Sequence, residues 1–356
     1  LGDVYKRQPY NSLTGASRWN EPCVPVYTTG TSIDTGGQPR ESLRTVYGRI
    51  DQDIDRAIEL LEKARETTLA ENNKSHINLY VALGIKSRAC LAEGDWDGAF
   101  KAAKRVIDEG GYAVGTKSDL TGGMNSLDKQ NVMWGAGIQV ADQAGGYAGF
   151  FTHMDNKEGA YAKSAPKLIS KQLYNRISAT DIRRDWWDPS DKESPYVSKK
   201  FSFANVASFL GDYIYMRVEE MYFTAAEAAL RLDDLKSARE LMNTVMAERD
   251  PGYSANNRSG TLLGATTTTW TGSFLENILT HRRIELWGEY GRLFDVRRLG
   301  QGIDRRTDDG FSEECISMMN RRNVNITKAD TYDWVLTIPK AELDANPNIN
   351  EEDQNP

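Results

Sequence analysis

The chain has 356 residues, 39% of them hydrophobic and 27% charged, with a formal net charge of −7. That is the composition of an ordinary globular protein, and the negative charge argues against non-specific binding to nucleic acid or an anionic membrane. No stretch approaches the ~18 apolar residues that a membrane-spanning helix needs. Three scattered His and three Cys without a CxxC pair predict no metal, no cofactor and no disulfide framework.

Leu1 to Gln8 lead into no recognisable element and do not begin with Met, so the natural N-terminus is expected to lie upstream. Residues 9–40 are rich in Pro, Gly, Ser and Thr and read as irregular chain. A first helix is predicted from Ser42 as N-cap, with Val46, Ile50, Ile54, Ala57, Ile58 and Leu61 at three- and four-residue steps on one face. A second runs from about Ile77 to Leu91. Glu93-Gly94-Asp95 break it from a third, Trp96 to about Ile107, which Gly110-Gly111 stop.

The same pattern returns downstream. Met216 to Leu230 and Leu235 to Ala247 are predicted helices joined by Leu232-Asp233-Asp234. Superposed, Ala89 matches Ala228, Leu91 matches Leu230, Asp95 matches Asp234, Ala99 matches Ala238 and Val106 matches Val245. Small residues at a crossing let helices approach, and an Asp in the turn can cap the second helix. This is a tetratricopeptide-like unit; two ordinary hairpins are the alternative.

Between the hairpins, Asn131 to Val140 read as a short buried strand. A Gly- and aromatic-rich loop, Gly145 to Phe151, follows, and residues 251–272 form a second loop. Long loops on a helical scaffold are where recognition residues gather. Tyr147, Phe150, Phe151 and Tyr161 sit in or beside the first loop. Trp186-Trp187 lie between the charged run Asp181 to Asp185 and Asp188-Pro189, a polar context for a Trp pair. These six rings are the candidate ligand contacts, because aromatic faces stack on the C–H faces of sugars while neighbouring polar groups bind hydroxyls. For each ring the alternative is pinning the loop to the scaffold. Trp96 and Trp134 read as core.

No GxSxG, HExxH, P-loop or GxGxxG pattern occurs. The acid pairs Glu219-Glu220 and Glu313-Glu314 read as solvated surface, since neighbouring helical residues diverge and a glycosidase needs acids converging from separate elements. Arg282-Arg283 and Arg297-Arg298 are interleaved with Glu285, Glu289 and Asp295, which predicts internal ion pairs rather than a phosphate site. The chain is therefore expected to bind rather than catalyse.

The segment Thr280 to Gly300 (THRRIELWGEYGRLFDVRRLG) closely resembles the RRxEL…E.G.R.FD..R.G signature of the SusD/RagB family. Other landmarks follow in that family's order: Val24-Pro25-Val26, the Tyr47…Asp53…Ala57-Ile58 helix, Gly94-Asp95-Trp96, the Tyr215-Met216-Arg217 helix with Ala226-Glu227-Ala228, and the tail from Ile338-Pro339 through Asn346-Pro347 to Gln354-Asn355-Pro356. The resemblance spans roughly residues 22–356. It implies a mostly α fold of tetratricopeptide-like hairpins with long loops and a few short strands. It also implies a lipid-anchored protein of the outer-membrane surface in Bacteroidota that captures oligosaccharides for a SusC-like TonB-dependent transporter. Peptide or glycopeptide capture by the same system, or a tetratricopeptide-like adaptor, are the alternatives. Members carry their lipidated Cys upstream of the Val-Pro turn, so Cys23 is not expected to be that Cys, and membrane contact is expected only through an anchor this chain lacks.

On that basis the chain is expected to be one domain lacking its N-terminal part. It would comprise a first hairpin region (41–112), a loop-rich ligand-side insertion (131–210), a second hairpin with the signature helix (211–300) and an irregular tail (301–356). The resemblance carries no invariant ligand residues. It implies that the signature Arg and Glu lock the C-terminal helix to the hairpins.

Overall fold

The computed structural model describes residues 18–32, 34–67, 73–142, 148–256, 258, 273–303 and 336–355. Helices carry the fold, and among the described residues the strands form three short antiparallel pairs. Strand β1 (Pro22–Pro25) pairs with β2 (Arg40–Ser42), and α1 (Leu43–Thr67) follows at once. Ser42 caps α1 as its sequence position predicts, its Oγ accepting the Thr45 N–H at 3.1 Å. Leu43, Val46 and Tyr47 at the start of α1 pack with Cys23 of β1 and with Ala92.

The first hairpin is α2 (Leu79–Glu93) and α3 (Trp96–Glu109). The second is α4 (Val218–Arg231) and α5 (Leu235–Ala247). The predicted register holds at every matched position. Asp95 accepts from the Gly98 N–H and Asp234 from the Ser237 N–H, both at 3.0 Å, so each turn aspartate caps the helix after it. Ala89, Ala99, Val106, Ala228, Ala238 and Val245 are all at 0% exposure, which is where small and branched residues are needed for close helix crossings. Each turn also needs one left-handed residue. Gly94 supplies it in the first (φ 81°) and Asp233 in the second (φ 66°). Helix α3 packs between α2 and α4, and α5 lies on the other side of α4, giving the tetratricopeptide-like stack.

The predicted strand narrows to β3 (Val132–Ala136). It pairs with the strand that leads into α4, and the register is irregular at Trp134. Between them the chain builds a second core from Phe151, Ile169, Leu173, Trp186, Trp187 and Phe201, closed by Ile284 of the signature helix. Inside it β4 (Trp187–Asp188) pairs with β5 (Val197–Ser198), and β6 (Tyr213–Arg217) completes the return. The aromatic end of the expected Gly-rich loop is a short helix, Phe150–Met154, because Phe151 is drawn into this core.

The C-terminal signature becomes α6 (Phe274–Glu285) and α7 (Arg292–Arg298), with α6 lying on α4. The tail returns to the β1–β2 pair. Asn346 Nδ2 donates to the Gln38 carbonyl at 2.9 Å, and Arg40 donates to Asp353 O at 2.7 Å and Asn355 Oδ1 at 2.9 Å. Gln354 exchanges two hydrogen bonds with the Ile338 backbone at 2.7 and 3.0 Å. The tail's Asn and Gln motif therefore braces the first strand pair.

Candidate functional site

The signature helix carries its acids into the interior. Glu285 is at 0% exposure and accepts from Arg183 (3.1 Å), Arg217 (3.0 Å) and Nε and Nη2 of Arg249 (3.0 Å each). Burial would raise its carboxyl, but Arg249, Arg217 and Arg183 more than offset this and hold it well below the usual carboxylate range. Glu289 accepts from Arg217 at 2.7 and 2.8 Å and from Lys200 at 2.5 Å. Burial pushes the Lys200 ammonium down to about 8 against the pull of Glu289. Arg298 clasps Glu227 with two bonds of 2.7 Å and reaches Asp295 at 2.8 Å, and Arg282 reaches Asp295 at 3.0 Å. The internal ion pairs expected of Arg282 and Arg298 are thus present.

The solvated reading of Glu219-Glu220 is overturned. Their exposures are 0% and 1%. Glu219 accepts from Arg249 at 2.8 Å and Asn131 at 2.9 Å, and Glu220 holds Arg88 through bonds of 2.9 and 2.6 Å. The adjacent acids do diverge, as helical geometry requires, but each meets a buried partner contributed by a distant segment. Glu313-Glu314 lie outside the described residues.

Beside this network is a cavity of about 540 Å³, within the range of small-molecule sites. Strands β3 and β6 contribute Trp134, Tyr213 and Tyr215, the insertion contributes Phe150 and Phe201, α2 contributes Arg88, and the turn after α6 contributes Gly288, Glu289 and Tyr290. Trp134 and Tyr215 meet edge to face at 5.1 Å, and Tyr215 is 41% exposed. Phe150 lies 5.3 Å from Phe201 and 5.9 Å from Tyr213. The Arg88 guanidinium sits 3.6 Å from the centre of the Tyr290 ring, a cation–π contact that fixes the ring's attitude. Gly288 has φ 74°, and a Cβ there would come within 2.5 Å of the Phe201 ring, so this turn closes against the cavity wall only with glycine.

Of the five candidate rings among the described residues, only Phe150 lines this cavity. Trp186 and Trp187 are at 2% and 1% exposure, packed at 5.8 Å from each other with Trp187 also 5.8 Å from Trp287. Phe151 is at 1%. These three rings are core and present no face to a ligand, a correction to the sequence expectation. The charged run before the Trp pair misled because two of its charges are internal as well: Arg183 and Asp181 pair at 2.6 Å with side chains at 0% exposure, whereas Asp185 is exposed. Tyr161 is 42% exposed and stacks on His153 at 4.6 Å with rings 5° apart, but it is not part of the cavity wall. Tyr147 lies outside the described residues.

Sequence reasoning also missed Trp134, Tyr213, Tyr215 and Tyr290. Trp134 read as core because it sits in a strand of hydrophobic residues, yet it is only partly buried and faces the cavity. Tyr213, Ile214 and Tyr215 are consecutive in β6 and all three line the cavity, so strand alternation does not single out the tyrosines.

No curated protein matches the chain. Solved structures do. A SusD-like carbohydrate binding protein from Bacteroides vulgatus superposes with a TM-score of 0.75 at 26% identity, over 94% of this chain and 71% of that one. A SusD superfamily protein from Bacteroides thetaiotaomicron gives 0.73 at 21% identity, over 98% and 73%. Surface glycan-binding protein A from Bacteroides uniformis gives 0.63 at 16% identity, over 95% and 74%. The family model for the SusD family matches residues 154–356, more than half of the chain and the part that holds both the buried ion network's signature helix and most of the cavity wall. With the hairpin stack and the ordered landmarks already described, this match establishes that the chain belongs to the SusD family.

Proposed function

We propose that this protein captures oligosaccharides at the outer-membrane surface and passes them, without chemistry, to a SusC-like TonB-dependent transporter, held to the membrane through an N-terminal lipid anchor. The observation that carries the reading is the cavity of about 540 Å³ walled by Trp134, Phe150, Tyr213, Tyr215 and Tyr290. Pyranose rings present C–H faces to aromatic faces and hydroxyls to neutral donors and acceptors, and this wall offers both. Relatives of the same fold bear the descriptions carbohydrate binding and surface glycan binding. The carboxylates that a hydrolase would need are, in α4 and α6, already committed to arginines. Two or three stacked rings support affinities in the micromolar range, ~−8 kcal/mol.

The test is native affinity electrophoresis of the protein through gels containing a broad panel of soluble polysaccharides. Retardation by at least one polysaccharide, with no release of reducing ends, is the expected result. Unretarded migration through every gel would remove glycan capture as the function. Partnership with the transporter is tested by co-isolation of the two proteins from outer membranes.

A further inference from the structure

The charge of the glycan can be argued from the same cavity. We infer that it selects an uncharged saccharide and turns away uronate- and sulfate-bearing chains, an inference that rests on the capture reading above.

Among the described residues two charged side chains line the wall, and both are already paired. Arg88 gives Nε and Nη2 to the two carboxylate oxygens of Glu220, shares Nη2 with the Tyr215 carbonyl at 2.8 Å, and has one guanidinium face against Tyr290. Its side chain is 9% exposed and that of Glu220 is 2%. Glu289 accepts at both oxygens, from Lys200 and Arg217, whose side chains are at 0% exposure. A bidentate Arg–carboxylate pair is geometrically matched and strong. Pulling Arg88 onto a ligand anion would break the bidentate pair and leave buried Glu220 with only the longer 3.6 Å pairing to Arg282, and weakening the pairing of a buried ion is penalised. Conversely, a carboxylate or sulfate entering without Arg88 would be desolvated near Glu289 with no other charged side chain among the described wall residues to compensate it.

What remains for recognition is neutral. The indole of Trp134 and the phenols of Tyr213 and Tyr215 offer ring faces and uncharged hydrogen-bonding groups, whereas the Tyr290 ring, against Arg88 and stacked on Phe294 at 5.0 Å, closes the wall. Such a wall suits the alternating C–H and hydroxyl surface of a neutral pyranose. Among the described residues it offers no uncommitted cation to an acidic sugar, nor to the C-terminal carboxylate of a peptide.

Calorimetry on the full chain decides the matter with two probe sets. The neutral set is gluco-, manno-, galacto- and xylo-oligosaccharides; the acidic set is oligogalacturonate and heparin-derived oligosaccharides. Neutral sugars alone are expected to bind, with less than a twofold change in Kd between 50 and 500 mM NaCl. Trp134→Ala is expected to weaken that binding at least tenfold. Tyr215→Ala, at the more exposed ring, is the second variant should the first lose its fold. Tighter binding of the acidic set, abolished by Tyr215→Ala, would overturn the charge selection and leave glycan capture standing. Binding of neither set, or binding that both variants leave unchanged, would sink the inference together with the assignment of capture to this cavity. Displacement of a neutral sugar by a short peptide would transfer the site to peptides and sink the inference too.

Discussion

The two hairpins share a turn, a cap and a crossing, and differ in what they turn inward. Helix α2 buries Leu79, Val81, Leu83, Ala89, Leu91 and other uncharged residues. Helix α4 buries Glu219, Glu220 and Glu227 as well. The first hairpin is thus held by non-directional packing, which tolerates repacking. The second is held by directional bonds to arginines that α6, α7 and the segment after α5 bring to it. The same local pattern serves two purposes: α2–α3 is a wall, and α4 is the hub on which the signature helix is positioned. Arg88, reaching from α2 to Glu220 of α4, joins the hub to the wall of the cavity.

The contrast is broken most directly at Glu285. Glu285→Ala leaves Arg183, Arg217 and Arg249 buried without their shared acceptor and is expected to cost ~3–5 kcal/mol of stability. In the first hairpin Arg105 pairs with Glu62 and Glu109 at a partly exposed surface, and Arg105→Ala is expected to cost no more than ~1 kcal/mol. Urea unfolding of the two variants measures both. Equal costs would mean that the buried network adds nothing beyond surface pairing.

Acid provides the next test. Burial would raise the Glu227 carboxyl, but Arg298 and Arg231 outweigh it and bring it down from 4.5 to about 2. Between those values the unfolded chain takes up a proton that the folded chain refuses. The stabilisation is therefore complete above pH 4.5 and lost as pH falls toward 2. Glu285, Glu289 and Asp295 are lowered as well, and each adds in the same direction. Hydrogen exchange from pH 6 to pH 3 is expected to lose protection in α4 and α6 before α2, since burial pushes the one acid of α2, Glu93, up to about 8, so that it is already protonated in the fold and acid does not work against it. Simultaneous loss in all three would show that the hairpins unfold as one unit.

How far the sequence reached follows the same divide. Periodicity, Gly94-Asp95, Asp234 and the small residues at the crossings are local signals, and they placed both hairpins and the register between them. Short-range patterns also located β3 and the tail motif. Glu219, Glu220 and the Trp186-Trp187 pair were misplaced for one reason. A charged residue reads as exposed unless its partner is visible, and distant partners decide here: 88 positions separate Asn131 from Glu219, 132 separate Arg88 from Glu220, and 102 separate Arg183, beside the Trp pair, from Glu285. The cavity was missed likewise, because its rings come from β3, β6 and the turn after α6, and no window of sequence holds them together.

The smallest expected effects lie in the turns, where the hairpins are most alike. Asp95→Ala and Asp234→Ala each remove one cap to a helix N-terminus, and each is expected to cost ~1 kcal/mol, the same in both hairpins because the cap is local. The left-handed residue then separates them. Gly94 adopts φ 81° without a Cβ, whereas Asp233 holds φ 66° against the steric preference of an L-residue, eased by its short polar side chain. Gly94→Ala should therefore destabilise the first hairpin by ~1 kcal/mol, and Asp233→Gly should leave the second unchanged or raise its stability by a few tenths of a kcal/mol. Thermal unfolding of the two variants, run beside the two cap variants, checks this. A loss of ~1 kcal/mol or more in Asp233→Gly would mean that the Asp233 side chain makes a contact in the turn worth more than the strain it carries, and that the two turns are alike in backbone only.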